Sequence, residues 1–216
     1  MLEKMSDFFE ARLSGYDEHM LTNIESATEF YPYTAKQLPT IENCCVLDLG
    51  CGTGLELEEY YPLNPSAKVM GIDLSQGMLS VLKNKFPDKD INLICGSYFD
   101  VPIGVSVYDC AVSVESLHHF TKEEKISLYK KLYEALKDGG YFILTDYFAS
   151  SDEEEYLHHQ TLLTLKKEQG IADDEFYHYD TPLTVKHETE SILAAGFSSV
   201  AVLKNWGATY TIKAVR

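Results

Sequence analysis

The sequence predicts an α/β fold: a seven-stranded, mostly parallel sheet with one antiparallel strand and helices on both faces. Three observations predict it. Apolar, β-branched runs alternate with helical patterns from residue 44 to the end, the signature of a parallel sheet covered on both sides. A buried strand, Cys45-Val-Leu-Asp-Leu49, runs into a three-glycine turn, Gly50-Cys-Gly-Thr-Gly54, and Asp73 closes a second strand nineteen residues after Gly54. Close to the end, two alternating strands meet across a short Asn205-Trp206-Gly207 link, which reads as an antiparallel hairpin.

Strands are expected near 44–49, 68–73, 91–95, 108–114, 140–147, 198–204 and 208–215. Ser75 can cap a helix running to about Phe86, ahead of Pro87. Thr121-Lys-Glu-Glu124 reads as a capping box. The helix it opens has one apolar face, Ile126, Tyr129, Leu132, Tyr133 and Leu136, and Gly139-Gly140 is expected to stop it. Thr184 can cap a helix through Ala195, which Gly196 ends. Two segments stand outside this alternation. Residues 1–43 carry Phe8, Phe9, Tyr16, Phe30, Tyr31 and Tyr33 and read as a helical cap or lid; residues 148–183 read as a substrate-side insert with a central helix. The acidic ends of that insert, Asp152 to Glu155 and Asp173 to Glu175, read as solvated faces, and an aromatic stretch, Phe176-Tyr-His-Tyr179, follows them. The expected organisation is one domain: cap 1–43, cofactor-binding core 44–147, insert 148–183, and a C-terminal helix and hairpin, 184–216, completing the sheet.

Composition narrows the function. The 216 residues are 45% apolar, with no run of about 18 apolar residues to span a bilayer. The N-terminus, with acids among its first ten residues and no apolar core, does not read as a signal peptide, so the expected location is cytoplasmic. A balance of 18 basic against 34 acidic residues, a net charge of −16, opposes binding through phosphate neutralisation; nucleic acids and anionic membranes are not expected partners. The five cysteines, Cys44, Cys45, Cys51, Cys95 and Cys110, show no paired Cys-x-x-Cys spacing and read as free, small core residues.

The glycine spacing bears on the ligand. Dinucleotide folds use Gly-x-Gly-x-x-Gly to approach a pyrophosphate, whereas Leu55 stands where that third glycine would fall. Asp48 before the turn and Glu56 after it are hostile to phosphate and attractive to a sulfonium or ammonium group. The stretch Val46-Leu-Asp-Leu-Gly-Cys-Gly-Thr-Gly54, with Asp73 after it, closely resembles the first two motifs of class I S-adenosylmethionine-dependent methyltransferases, whose Rossmann-like sheet also has seven strands with one reversed. That resemblance covers roughly residues 44–147 and implies S-adenosylmethionine as cofactor. Ser113-Val-Glu-Ser-Leu-His-His-Phe120 further resembles the small-molecule branch typified by quinone-biosynthesis methyltransferases. It lacks the Pro-Pro-aromatic signature of enzymes that methylate nucleic-acid nitrogens.

Carried over by position, the resemblance implies that Asp48 and the turn of Gly50, Cys51, Gly52 and Gly54 hold the methionine part, while Asp73 accepts both ribose hydroxyls. Leu74 and Met78, with Leu79 beside them, would lie along the adenine. Ser97 stands where the family often has an acid, so either Ser97 or Asp100 would meet the adenine amino group. Tyr98, Val114 and Tyr16 complete the cofactor-binding set. His118 and His119 are the candidate general bases, His119 the better of the two, because a neutral imidazole can take a proton from an acceptor hydroxyl or amine. Glu115 and Asp146 end adjacent strands and could converge on a divalent ion, but further oxygen ligands are missing and no metal is expected. His158, His159 and His178 read as solvated helix or lid residues. Tyr16, Tyr31, Tyr33, Tyr147, Tyr177 and Tyr179 are candidates for the acceptor pocket.

The expected function is methyl transfer to a small-molecule acceptor by in-line displacement, with a homodimer as the assembly considered. The alternatives are a protein that binds S-adenosylmethionine or S-adenosylhomocysteine without turnover, and an NAD(P)-dependent oxidoreductase.

Overall fold

The computed structural model describes residues 1–172 and 175–216, so the expectation for Asp173 and Asp174 lies outside the described residues. Seven strands, β1 (Cys45–Leu49), β2 (Lys68–Asp73), β3 (Ile91–Cys95), β4 (Tyr108–Val114), β5 (Leu136–Tyr147), β6 (Ser199–Trp206) and β7 (Thr209–Val215), form one sheet in the order β3-β2-β1-β4-β5-β7-β6. The first five are parallel; β7 runs antiparallel to both β5 and β6. Parallel strands buried on both faces need apolar side chains in succession, which is what Val46, Leu47 and Leu49 or Ala111 and Val112 supply.

Eight helices complete the fold among the described residues. Three belong to the N-terminal arm: α1 (Met5–Glu10), α2 (Tyr16–Asn23) and α3 (Ala27–Ala35). The others are α4 (Leu55–Tyr60), α5 (Gln76–Lys85), α6 (Lys122–Ala135), α7 (Asp152–Gln169) and α8 (Val185–Ala194). On one face of the sheet Leu47, Phe142, Leu144 and Ile212 pack against Leu128, Leu132 and Ile192 of α6 and α8. On the other, Val46, Val69, Val112 and Ile143 meet Phe30, Leu57 and Leu82 of α3, α4 and α5. The sheet order brings the carboxyl ends of β1 and β4 side by side where the crossover direction reverses, the place where open α/β sheets bind ligands.

The expected caps are present. Ser75, Thr121 and Thr184 each accept a backbone N–H from the first turn of their helix, and Thr121 with Glu124 forms the full capping box. Two expectations are corrected. Gly139-Gly140 does not stop α6: the helix ends at Ala135, Leu136 turns extended to pair with Tyr108, and the glycines accommodate a register shift before Tyr141 pairs with Cys110. The hairpin turn is Gly207-Ala208, with Trp206 the last residue of β6.

The buried face of α6 is also rotated from the expected one. Lys125, only 1% exposed, is buried, while Ile126 and Tyr133 are half-buried. Lys125 Nζ lies 2.6 Å from Glu188 Oε2 of α8, and the Tyr129 hydroxyl donates to Glu188 Oε1. Two opposite charges removed from water hold α6 against α8 only because each satisfies the other. Lys125→Met should therefore lower stability by about 3–5 kcal/mol, by stranding the Glu188 carboxylate. The double replacement Lys125→Met with Glu188→Leu should recover most of that loss in urea unfolding, since no buried charge is then left unpaired.

Candidate functional site

The turn after β1 folds back on the sheet because Gly50 and Cys51 donate their N–H groups to the Ile72 carbonyl, at 2.8 and 3.2 Å. Gly50 has φ +71°, and a Cβ there would lie 2.1 Å from Ser116 Oγ, so only glycine leaves room between the turn and the segment after β4. Asp73, at the end of β2, is oriented by two amides: Gly52 N donates to Oδ2 at 2.9 Å and Ser75 N to Oδ1 at 2.8 Å. Each oxygen keeps acceptor capacity, and Asp73 lines the cavity beside the turn. Burial raises its pKa, against the pull of those amides.

Eight of the expected cofactor residues, Gly50, Gly52, Asp73, Leu74, Met78, Tyr98, Val114 and Tyr16, line that cavity. Asp48, Cys51, Gly54 and Ser97 stand behind it. Cys51 is buried against Gly71, where a Cβ would come within 2.8 Å of its sulfur. Gly54 begins α4, and Ser97 Oγ accepts the Phe99 N–H at 3.2 Å. Asp100 is exposed and away from the cavity, so of this segment it is Tyr98 that reaches it, its hydroxyl 3.3 Å from Ser116 Oγ. Leu79 packs in the core. Beneath the turn Asp48 Oδ2 and Glu56 Oε1 are buried without a hydrogen-bond partner. Burial, then the nearby Glu56 charge, pushes the Asp48 carboxyl well above its ordinary range, and burial lifts Glu56 to about 6. With Asp48 holding a proton the two carboxyls partner each other beneath the turn. The cleft above them, where the glycines put no Cβ in the way and Asp73 keeps acceptor capacity, fits a ligand that brings hydroxyl or N–H donors.

The N-terminal arm closes over this cavity. Glu10 Oε2 of α1 accepts from Ser75 Oγ at 2.6 Å and from Gly77 N at 3.1 Å. Asp17 of α2 accepts from Thr53 Oγ1 and pairs with Lys85 Nζ, both at 2.5 Å. With the arm in this position the cavity is only about 50 Å³.

A second cavity, about 620 Å³, adjoins the first and shares Phe9, Tyr16, Glu115 and His119 with it. Its far wall holds His118, His178 and Asp180, and its rim Phe8, Arg12 and Met20. The segment after β4 forms a single turn of 3₁₀ helix, Leu117–His119. Asp146 at the end of β5 fixes that turn by accepting from Leu117 N at 2.8 Å and holding His118 Nδ1 at 2.5 Å. Asp180 Oδ1 lies 3.1 Å from His119 Nδ1 and 3.7 Å from His118 Nε2. Thr181 N donates to the His118 carbonyl at 2.7 Å, fastening the insert to the turn.

The two adjacent histidines carry different charges. Burial pushes His118 down, but Asp146, then Asp180, outweigh it and raise the imidazole to about 9. Burial and the His118 cation lower His119, which stays neutral. Burial, then His119, brings His178 down to about 4. Asp180 is raised by burial but held far below the carboxylate range by its bond to His119 and the charge of His118. Both histidines are therefore buried at the site, one a fixed cation and the other a neutral base.

Six positions read differently in the structure than in the sequence. His178, expected in solvent, stacks on Phe8 with ring centroids 3.4 Å apart and lines the second cavity. Tyr31 is a core residue packed on Phe30, and Tyr33 packs on Trp206. Tyr147, Tyr177 and Tyr179 do not line the second cavity, although the Tyr179 carbonyl lies 3.4 Å from His119 Nδ1. Asp180 is not legible as a site residue in the sequence, because its partners His118 and His119 lie some sixty residues away. Two sets, His118 with His119 and Asp180, and Glu115 with His118 and Asp146, bring one ligand-type atom each within 4.8 Å of the others. The His118–Asp146 and His119–Asp180 contacts already satisfy these groups.

The chain resembles known proteins in sequence and fold. A family described as a methyltransferase domain matches residues 46–140. A carboxy-S-adenosyl-L-methionine synthase of Wolinella succinogenes is 28% identical over 94% of this chain and 88% of its own length. A tRNA (carboxymethyluridine(34)-5-O)-methyltransferase of Arabidopsis thaliana is 28% identical over 65% of this chain and 34% of its own length. For other curated relatives the matched stretch spans 38% to 56% of their length. Human N-acetylserotonin methyltransferase, in complex with S-adenosylmethionine, shares the fold with a TM-score of 0.67 at 17% identity, over 96% of this chain and 57% of its own. No helix among the described residues is long and apolar enough to cross a membrane.

The charge of His118 has a measurable consequence. Its folded pKa, about 9, lies above the ordinary 6.5, so its contribution to stability is complete below about pH 6.5 and is lost as pH rises through 9. The Tm gap between the wild type and His118→Asn should be widest near pH 6 and narrow steadily to pH 9, as followed by thermal unfolding.

Proposed function

We propose that the chain acts as a class I S-adenosylmethionine-dependent methyltransferase and that it methylates a small molecule held in the second cavity. The observation that carries this reading is the junction of the two cavities. Phe9, Tyr16, Glu115 and His119 line both, so a group held against Asp73 and the glycine turn would face whatever occupies the 620 Å³ space. When bound, S-adenosylmethionine supplies a methyl group already activated for displacement.

Gly50, Gly52 and Asp73 would hold the donor, with Leu74 and Met78 along its base and the Asp48–Glu56 carboxyl pair buried beneath the turn. The chain's own work is then to align the acceptor, exclude water and accept a proton. The arm helices α1 and α2 exclude water by latching Glu10 to Ser75 and Asp17 to Thr53. His119 is the proton acceptor: it is neutral, its Nδ1 is occupied by Asp180, and the opposite ring nitrogen is left for substrate. His118 orients rather than reacts, since both of its nitrogens face carboxylates. The acidic net charge and the aromatic lining of the second cavity favour a small molecule over a nucleic acid.

Calorimetric titration with S-adenosylmethionine, S-adenosylhomocysteine and NAD tests the donor assignment. The two adenosyl ligands should bind and NAD should not; binding of NAD alone would contradict it. Asp73→Asn, which keeps a side-chain acceptor for Gly52, should weaken S-adenosylhomocysteine by about 2–3 kcal/mol, through loss of charged hydrogen bonds to the ribose. An unchanged affinity would show that Asp73 does not hold the ligand.

A further inference from the structure

Glu115 is the one residue at the junction of the two cavities whose backbone and side chain are both in an unfavourable state. Its φ is +48°, in the left-handed region that a residue with a Cβ seldom occupies, yet its N–H is held by the Thr145 carbonyl at 2.8 Å. That conformation turns the carboxyl away from solvent and onto the wall shared by both cavities. Thr209 Oγ1 donates to Oε1 at 3.3 Å. The charged groups that face it are Asp146 on β5, His118 on the 3₁₀ turn and Asp180 on the insert, with the Tyr16 and Tyr31 phenols on the arm. Only one of these is a cation, and His118 is already shared between Asp146 and Asp180.

The rings of Phe9 and Tyr16 line the same junction as this carboxyl, and the second cavity is also lined by Phe8, whose ring is stacked on His178 and already carries the Arg12 guanidinium 3.6 Å from its centroid. Aromatic faces carry negative potential, so together with a carboxylate they make a seat for a cation on an apolar body. A carboxylic acid or phosphate acceptor would meet the Asp180 carboxylate on the cavity wall, where His118 is already paired with Asp146 and Asp180. Arg12, the cation at the rim, is turned to Glu3 and the Phe8 carbonyl, at 3.3 and 2.8 Å.

We infer that the methyl acceptor is a small aromatic or aliphatic amine, and that Glu115 is the specificity-determining residue that seats its ammonium group at the junction. This rests on the methyltransferase reading. Burial and the Asp146 charge push the Glu115 carboxyl up to about 8, so at neutral pH it holds a proton until a cation replaces it. Arrival of the ammonium releases that proton to solvent and leaves an ion pair. The ammonium then gives one N–H proton to the free ring nitrogen of His119, becoming a neutral amine with its lone pair available; the imidazole becomes an imidazolium.

The test uses three probes with one aromatic body: 2-phenylethylamine, 2-phenylethanol and phenylacetate. Each is titrated calorimetrically into protein saturated with S-adenosylhomocysteine, in buffers of different ionisation enthalpy. The amine should bind at least tenfold tighter than the other two, with release of a proton at neutral pH, and Glu115→Gln should abolish both the preference and the release. Glu115→Gly should lose the preference while raising Tm, since it removes the strained φ and a carboxyl buried beside Asp146. If S-adenosylhomocysteine binds but the amine is no tighter than the alcohol or the acid, or Glu115→Gln leaves the preference intact, the amine assignment falls and the methyltransferase reading stands. A fall in Tm for Glu115→Gly would make Glu115 a structural residue and overturn the assignment. If S-adenosylhomocysteine does not bind, both readings fall together.

Discussion

The contact on which the acceptor side depends is the buried pairing of His118 with Asp146. A carboxylate at the end of β5 is costly to bury, and it is made tolerable by the Leu117 amide on one oxygen and the His118 imidazolium on the other. The turn after β4 is thereby clamped to the neighbouring strand. Once His118 is fixed and charged, its neighbours follow: His119 stays neutral beside it, Asp180 stays ionised, and Thr181 ties the insert down through the His118 carbonyl. One ion pair thus sets the shape of the second cavity and distributes the charges on its wall.

The donor side rests on backbone rather than on paired charge. Gly50 allows the turn to approach Ser116, and Asp73 is aimed by Gly52 and Ser75, so the cleft is preformed without a side chain needing to reorganise. What does have to move is the arm. Glu10 and Asp17 latch α1 and α2 through a few hydrogen bonds and one ion-paired lysine, contacts that exchange readily with water, whereas the sheet beneath is held by two apolar cores. The weak latch sits at the entrance and the strong packing under the site, the division of stability expected of a lid.

Legibility from the sequence followed the range of the interactions. Strands β2, β3 and β4 and the three capped helices α5, α6 and α8 were readable because alternation, apolar runs and caps are local signals. The end of α6 was not, because Leu136 becomes extended only by pairing with Tyr108, a partner distant in sequence. The glycine turn and Asp73, expected together from their spacing, do line one cavity. Ser97 and Asp48 were placed at the ligand by position, but the chain turns Tyr98 toward the cavity and buries Asp48 under the turn. The acceptor side was the least readable. Asp180, His178 and Phe9 meet His119 only through tertiary packing of the arm and the insert, and a buried Lys125 inside an apolar helix face is intelligible only once Glu188 is seen opposite it.

On the proposed reading, Asp73, the glycine turn and the junction at Glu115 and His119 form one continuous site, donor on one side and acceptor on the other. A crystal structure with S-adenosylhomocysteine tests it most directly. The account predicts the ribose on Asp73, the adenine along Leu74 and Met78, and the sulfur opening toward the cavity walled by Glu115, His119 and Asp180. A ligand lying elsewhere on the sheet, or one whose sulfur faces away from that cavity, would contradict it.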